Sequence, residues 1–130
     1  MSEFARLDVN SRRVSDAVYI RGLPWQIKAL SRAFSGQLSM YLRCNNDNFE
    51  YNWSCTASAT FRIVSQEEGK EDYADEIGRQ IFTTENKGFG LNFFIPFEKL
   101  MDPKNGWYDA KNDTVILSAE VKAEELIGVE

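Results

Sequence analysis

Histidine is absent from all 130 residues. That removes every Ser–His or Cys–His nucleophile pair and any imidazole general base. Carboxylate-only hydrolysis survives the exclusion. The acids, however, gather in polar runs such as Gln66-Glu67-Glu68-Gly69-Lys70-Glu71-Asp72, which read as solvated loop. Cysteine is nearly missing too. Cys44 and Cys55 cannot complete a zinc set without further Cys or His, and no cofactor or metal is expected. Both fall at apolar-facing strand positions and read as reduced core thiols, with a disulfide or metal site as the lesser alternative. No apolar run approaches the roughly 20 residues that cross a bilayer. The start, Met1-Ser2-Glu3-Phe4, lacks a secretory pattern. No membrane association is expected, and the chain is placed inside the cell. A basic surplus is also lacking: 15 Lys and Arg stand against 20 Asp and Glu, for a net charge of −5. The longest basic run is Arg12-Arg13. That argues against nucleic acid as a main partner, since phosphate binding needs a basic face.

What the chain does have is alternation with a period of two. Trp53, Cys55, Ala57, Ala59, Phe61 and Ile63 alternate with Ser54, Thr56, Ser58, Thr60 and Arg62. Val115, Leu117, Ala119, Val121 and Ala123 alternate in the same way, as do Leu38, Met40, Leu42 and Cys44. Trp25, Ile27 and Ala29 follow Pro24, and Ala17 to Arg21 makes one more strand closed by Gly22. Ile81-Phe82-Thr83 and Leu91-Asn92-Phe93-Phe94 are shorter candidates. Asn45-Asn46-Asp47-Asn48 and Asp102-Pro103-Lys104-Asn105-Gly106 read as turns. Pro96 to Met101 suits a single helical turn, and Lys70 to Arg79 a loop or short helix. About seven short strands separated by turns predict an antiparallel sandwich, one domain over residues 1–130.

The stretch most suited to function is Glu85-Asn86-Lys87-Gly88-Phe89-Gly90-Leu91-Asn92-Phe93-Phe94. Two glycines flank one large ring. Glycine lets a foreign backbone approach, and the ring gives it a surface to lie on. A short extended peptide can pair there by strand addition. The competing reading is a tight turn that feeds a core strand and buries Phe89. Gly88-Phe89-Gly90 does not open a helix, so a phosphate loop is set aside. Asn52-Trp53-Ser54 and Asn112-Asp113-Thr114 match the glycosylation acceptor pattern, which carries no meaning inside the cell.

Several segments together resemble the MATH domain, a TRAF-like β-sandwich, in the form that stands at the N-terminus of a ubiquitin-specific protease. They are Val18-Tyr19-Ile20-Arg21-Gly22-Leu23-Pro24-Trp25-Gln26-Ile27, Leu42-Arg43-Cys44-Asn45 and Trp53-Ser54-Cys55. Further counterparts lie at Glu85-Asn86, Phe89-Gly90-Leu91 and Asp102-Pro103. The resemblance covers nearly the whole chain. It implies an all-β antiparallel sandwich of about seven to eight strands. It also implies a non-enzymatic reader of short linear peptide motifs in substrate proteins, acting in nucleus and cytoplasm, and a monomer is expected. By the same resemblance Phe89 takes the place of a groove tryptophan that packs on a small apolar peptide residue. Gly90 offers backbone to the peptide, Arg32 matches an arginine near it, and Tyr41 matches an aromatic of the groove wall. Lys87, Gly88 and Leu91 complete the candidate peptide-binding set.

Three departures from the family pattern stand out. Lys87-Gly88 occupies the place of an aspartate that accepts the hydroxyl of a peptide serine, with one residue inserted. A lysine cannot accept a hydrogen bond, so an acidic or differently spaced motif is expected instead of a Pro/Ala-x-x-Ser rule. Placing the insertion elsewhere puts Gly88 rather than Phe89 at the tryptophan position. Secondly, the family's first strand should end just before Phe4-Ala5-Arg6-Leu7, so that strand is expected to be missing and one sheet edge open. Thirdly, the protease domain that follows in that setting is not found before Glu130. The alternative function is a free-standing MATH adaptor for a ubiquitin ligase or receptor complex with a different peptide rule. A carbohydrate-binding sandwich or carboxylate glycosidase is the remaining reading.

Overall fold

Strand β5 (Trp53–Val64) buries every second residue along its whole length. That is the pleat made visible: successive side chains point to opposite faces. The computed structural model describes residues 2–8, 14–32, 36–45, 53–124 and 127–128. It is an all-β antiparallel sandwich. The other strands are β1 (Ser2–Asp8), β2 (Val18–Ile20), β3 (Leu23–Arg32), β4 (Gln37–Cys44), β6 (Tyr73–Thr83) and β7 (Gly88–Pro96). After a one-turn helix α1 (Phe97–Leu100) come β8 (Tyr108–Asp109), β9 (Thr114–Glu124) and β10 (Ile127–Gly128).

The larger sheet runs β1-β9-β5-β6, with β8 beside the start of β9 and β10 beside the start of β5. The smaller sheet runs β2-β3-β4-β7. Between them lie Trp25, Ile27, Met40 and Leu42 from one sheet and Phe61, Ile63, Phe82 and Val121 from the other, all fully buried. Ala57, Ala59, Ala119 and Ala123 face inward as well. The Trp25 ring meets Phe82 edge to face at 4.9 Å, and its indole N–H donates to the Ile20 carbonyl at 3.0 Å. Cys44 and Cys55 are buried free thiols. The β2–β3 hairpin turns on Arg21 (φ 56°) and Gly22 (φ 73°). Both central residues are left-handed, as a two-residue type I′ turn requires.

Two elements differ from the sequence expectation. Lys70 to Arg79 is not a loop or helix; from Tyr73 onward it is β6, paired with β5. The strand escapes the alternation test because its register slips between Ala57 and Ala59. The buried positions Ile77 and Phe82 are therefore five apart, an odd spacing. At the chain start the expected missing strand gives way to β1, which runs antiparallel to β9 from Ser2↔Glu124 to Asp8↔Ser118. The edge of β9 is covered there. The Asn46–Asn48 part of the expected hairpin turn lies outside the described residues.

Candidate functional site

Among the described residues β7 is the end strand of its sheet, bonded to β4 alone. The phase of that pairing decides which backbone groups face outward. The Cys44 N–H donates to the Lys87 carbonyl at 2.8 Å. These two residues stand directly opposite in the register that pairs Arg43 with Gly88, Leu42 with Phe89, Tyr41 with Gly90 and Met40 with Leu91. Opposed antiparallel residues alternate between exchanging both bonds and exchanging none. Lys87, Phe89 and Leu91 therefore turn their backbone groups toward β4. Gly88 and Gly90 turn theirs to the free edge, where no strand of the described residues pairs with them.

Gly90 is required by its neighbours. A Cβ there would lie 2.2 Å from the Met40 carbonyl oxygen and 2.5 Å from Tyr41 Cδ1. The Tyr41 ring lies over the bare glycine, and its hydroxyl donates to Asn92 Oδ1 across the strand. Gly88 is looser: a Cβ would meet the Leu42 carbonyl oxygen at 3.5 Å and Arg43 Cγ at 3.7 Å. Beyond Leu91 the strand bulges. Asn92, Phe93 and Phe94 oppose the single residue Ser39 before pairing resumes at Ile95. Ser39 Oγ donates to the Asn92 carbonyl at 2.5 Å and Tyr73 Oη to the Phe94 carbonyl at 2.9 Å. These bonds end the open part of the edge at the bulge.

Phe89 points to the core side, with Leu42 and Ile27 in register. It is half-buried and meets Phe82 edge to face, centroids 4.8 Å apart. Phe82 in turn meets Trp25 at 4.9 Å. The ring is thus neither free on the surface nor sealed inside. It closes the core at the sandwich rim with one part left to solvent. Leu91 is likewise half-buried against the core.

On the opposite, outer face lies an open cleft of about 440 Å³ lined by Lys28, Leu30, Tyr41, Arg43 and Gly88, with Thr84, Glu85 and Lys87 from the β6–β7 loop. Four of the expected residues, Tyr41, Lys87, Gly88 and Gly90, therefore gather around this face. Arg32 does not share their register: it pairs with Gln37, which pairs with Pro96 at the far end of β7. Its side chain lies outside the described residues. Three residues were not foreseen. Lys28 and Arg43 sit on the outer face, and Phe93 is 70% exposed on the bulge. Alternation with buried Ile27 and Leu42 was the available signal for the two cations; the bulge that lifts Phe93 leaves none. No cluster of Cys, Asp or Glu suited to a metal ion occurs among the described residues.

The family model for the MATH domain matches residues 2–121. The chain belongs to the MATH domain family. Its relatives include ubiquitin carboxyl-terminal hydrolase 7 of Drosophila melanogaster, 27% identical over 123 residues that are 95% of this chain and 10% of that protein. The enzyme of the same name from Caenorhabditis elegans is 24% identical over 132 residues, covering 88% of this chain and 11% of the relative. The MATH domain thus spans about a tenth of the relatives it matches, in their N-terminal region. MATH domains are non-catalytic modules that mediate protein–protein interaction.

Proposed function

We propose that this MATH domain binds short linear motifs of substrate proteins as an added strand on β7, and so serves as the recognition module of a deubiquitinase acting in nucleus and cytoplasm. One observation carries the reading. Gly88 and Gly90 present their backbone N–H and C=O groups at a sheet edge with no strand beyond it among the described residues. Natural edges are usually guarded by charge, proline or a bulge. Here the bulge falls after Leu91, so Gly88 to Leu91 stays flat and available. A peptide paired there gains affinity from backbone bonds and specificity from side-chain pockets. Its residue opposite Phe89 points inward and packs on the exposed part of that ring. Similarity to two ubiquitin carboxyl-terminal hydrolases supports the deubiquitinase setting.

The test is selection from a random-peptide display library on the purified domain, followed by titration of the recovered peptides. Phe89→Ala is expected to abolish binding. The ring also packs on Phe82, so the substitution lowers stability by about 1–3 kcal/mol, less than for a fully buried phenylalanine. Circular dichroism separates the two effects, and Phe89→Leu, which keeps most of the packing, is expected to restore the fold but bind weakly. Full affinity in folded Phe89→Ala rejects the groove assignment.

A further inference from the structure

The chain as a whole is acidic, yet the cleft beside the β7 edge is basic. Among the described residues, Lys28, Arg43 and Lys87 line it against a single carboxylate, Glu85. Lys28 and Arg43 are both exposed, and neither forms an ion pair with an acid of the described residues. We propose that this cleft selects an anionic side chain in the bound peptide, at the position opposite Gly88. The proposal rests on edge pairing at β7 and adds the chemistry that the pairing reads.

Geometry picks the position. A peptide residue bonded to Gly88 or Gly90 carries its side chain on their face of the sheet, which is the face of Arg43, Tyr41 and Lys28. Strands lie about 4.8 Å apart, so the peptide backbone would run about 10 Å from β4. Any ordinary residue in β7 would stand between them. Glycine does not. Over Gly90 the gap is filled by the Tyr41 ring, which its bond to Asn92 holds in place. Over Gly88 it is bordered by the methylene stem of Arg43, with Cγ 3.7 Å from where a Cβ would sit. The guanidinium therefore has a clear lane to the peptide side of the strand. An aspartate, glutamate or phosphoserine at that position meets Arg43 with Lys28 behind it. A planar fork of donors suits either a carboxylate or a phosphate. The next peptide residue turns inward onto Phe89, so the motif reads as an anion beside a small apolar residue.

The experiment compares the display selection on the parent domain and on the double variant Lys28→Gln, Arg43→Gln. Both residues are exposed, so the variant is expected to fold as the parent does. Parent peptides are expected to enrich Asp or Glu next to a small apolar residue, and the enrichment to vanish in the variant. A synthetic recovered peptide should bind the parent about fivefold more tightly than its Glu→Gln version, and the variant equally in both forms. A phosphoserine version that binds more tightly than the glutamate one assigns the anion to a phosphorylated partner; one that binds more weakly assigns it to a carboxylate. Peptides that shift the Gly88 and Gly90 amide resonances but show no anion preference, or one that persists in the variant, overturn the proposal. Binding with no shift at those two amides overturns the edge pairing itself.

Discussion

Gly90 is held to glycine by the atoms around it, while Gly88 is not, and the two make a paired test. Gly90→Ala drives a methyl into the Met40 carbonyl and the Tyr41 ring. Relief requires β4 and β7 to separate, and a loss of about 2–3 kcal/mol is expected in urea titration. Gly88→Ala meets only ordinary contacts and should keep parent stability to within about 0.5 kcal/mol. Equal stability of the two variants would contradict the packing of Tyr41 over Gly90. Another residue-scale effect lies in the core. Burial, outweighing the nearby Arg21, pushes the Cys55 thiol up to about 11 from 9.0, and Glu124 adds to the rise. The folded thiol thus holds its proton where an unfolded one has lost it. Its contribution to stability is complete below pH 9 and falls away as pH rises from 9 toward 11. Cys55→Ala is expected to flatten that alkaline decline; an unchanged slope would show that other groups cause it.

At the scale of the element, β7 is two strands in one. Gly88 to Leu91 is regular and open, whereas Asn92 to Phe94 is bulged and pinned by Ser39 and Tyr73. Tyr73 also packs between Phe94 and Trp107, with Lys99 over its ring. Tyr73→Phe keeps this packing and removes one hydrogen bond, so a loss of about 1 kcal/mol is expected. Faster amide exchange should be confined to the bulge, and exchange spreading through Gly88 to Leu91 would show that the halves are not independent. The sequence pattern marked the glycine-flanked ring but put the strand at Leu91 to Phe94, so the regular half, Gly88 to Leu91, is strand where the end of a loop was expected. The bulge was not legible: two consecutive buried residues, Phe94 and Ile95, break the period without announcing where the extra residues go. β6 was hidden for a similar reason. It lies at an edge with most side chains in water, and a register slip puts Ile77 and Phe82 out of step. The central strand β5 alternates without a break, and β4 and β9 alternate in residue type, each burying one serine, Ser39 or Ser118, between its inward apolar residues.

For the whole molecule, sandwich closure and edge exposure are one problem. The larger sheet covers its β9 side with β1 and leaves β6 at its rim, where Asp75, Glu76 and Arg79 are exposed. Such charges discourage another strand from pairing. The smaller sheet ends on β7 and guards Gly88 to Leu91 with no such charge on the strand itself. The nearby charges sit on the outer face of β3 and β4 and in the β6–β7 loop. Their convergence is a tertiary fact that spacing along the chain does not reveal, since Lys28, Arg43 and Lys87 come from separate elements.

Amide hydrogen exchange at β7, free and with a selected peptide bound, tests the central claim most directly. In the free domain Phe89 and Leu91 should be protected while Gly88 and Gly90 exchange freely; saturating peptide should slow Gly88 and Gly90 at least tenfold and leave Phe89 and Leu91 as they were. Peptide binding that leaves the two glycine amides exchanging as fast as before would contradict it.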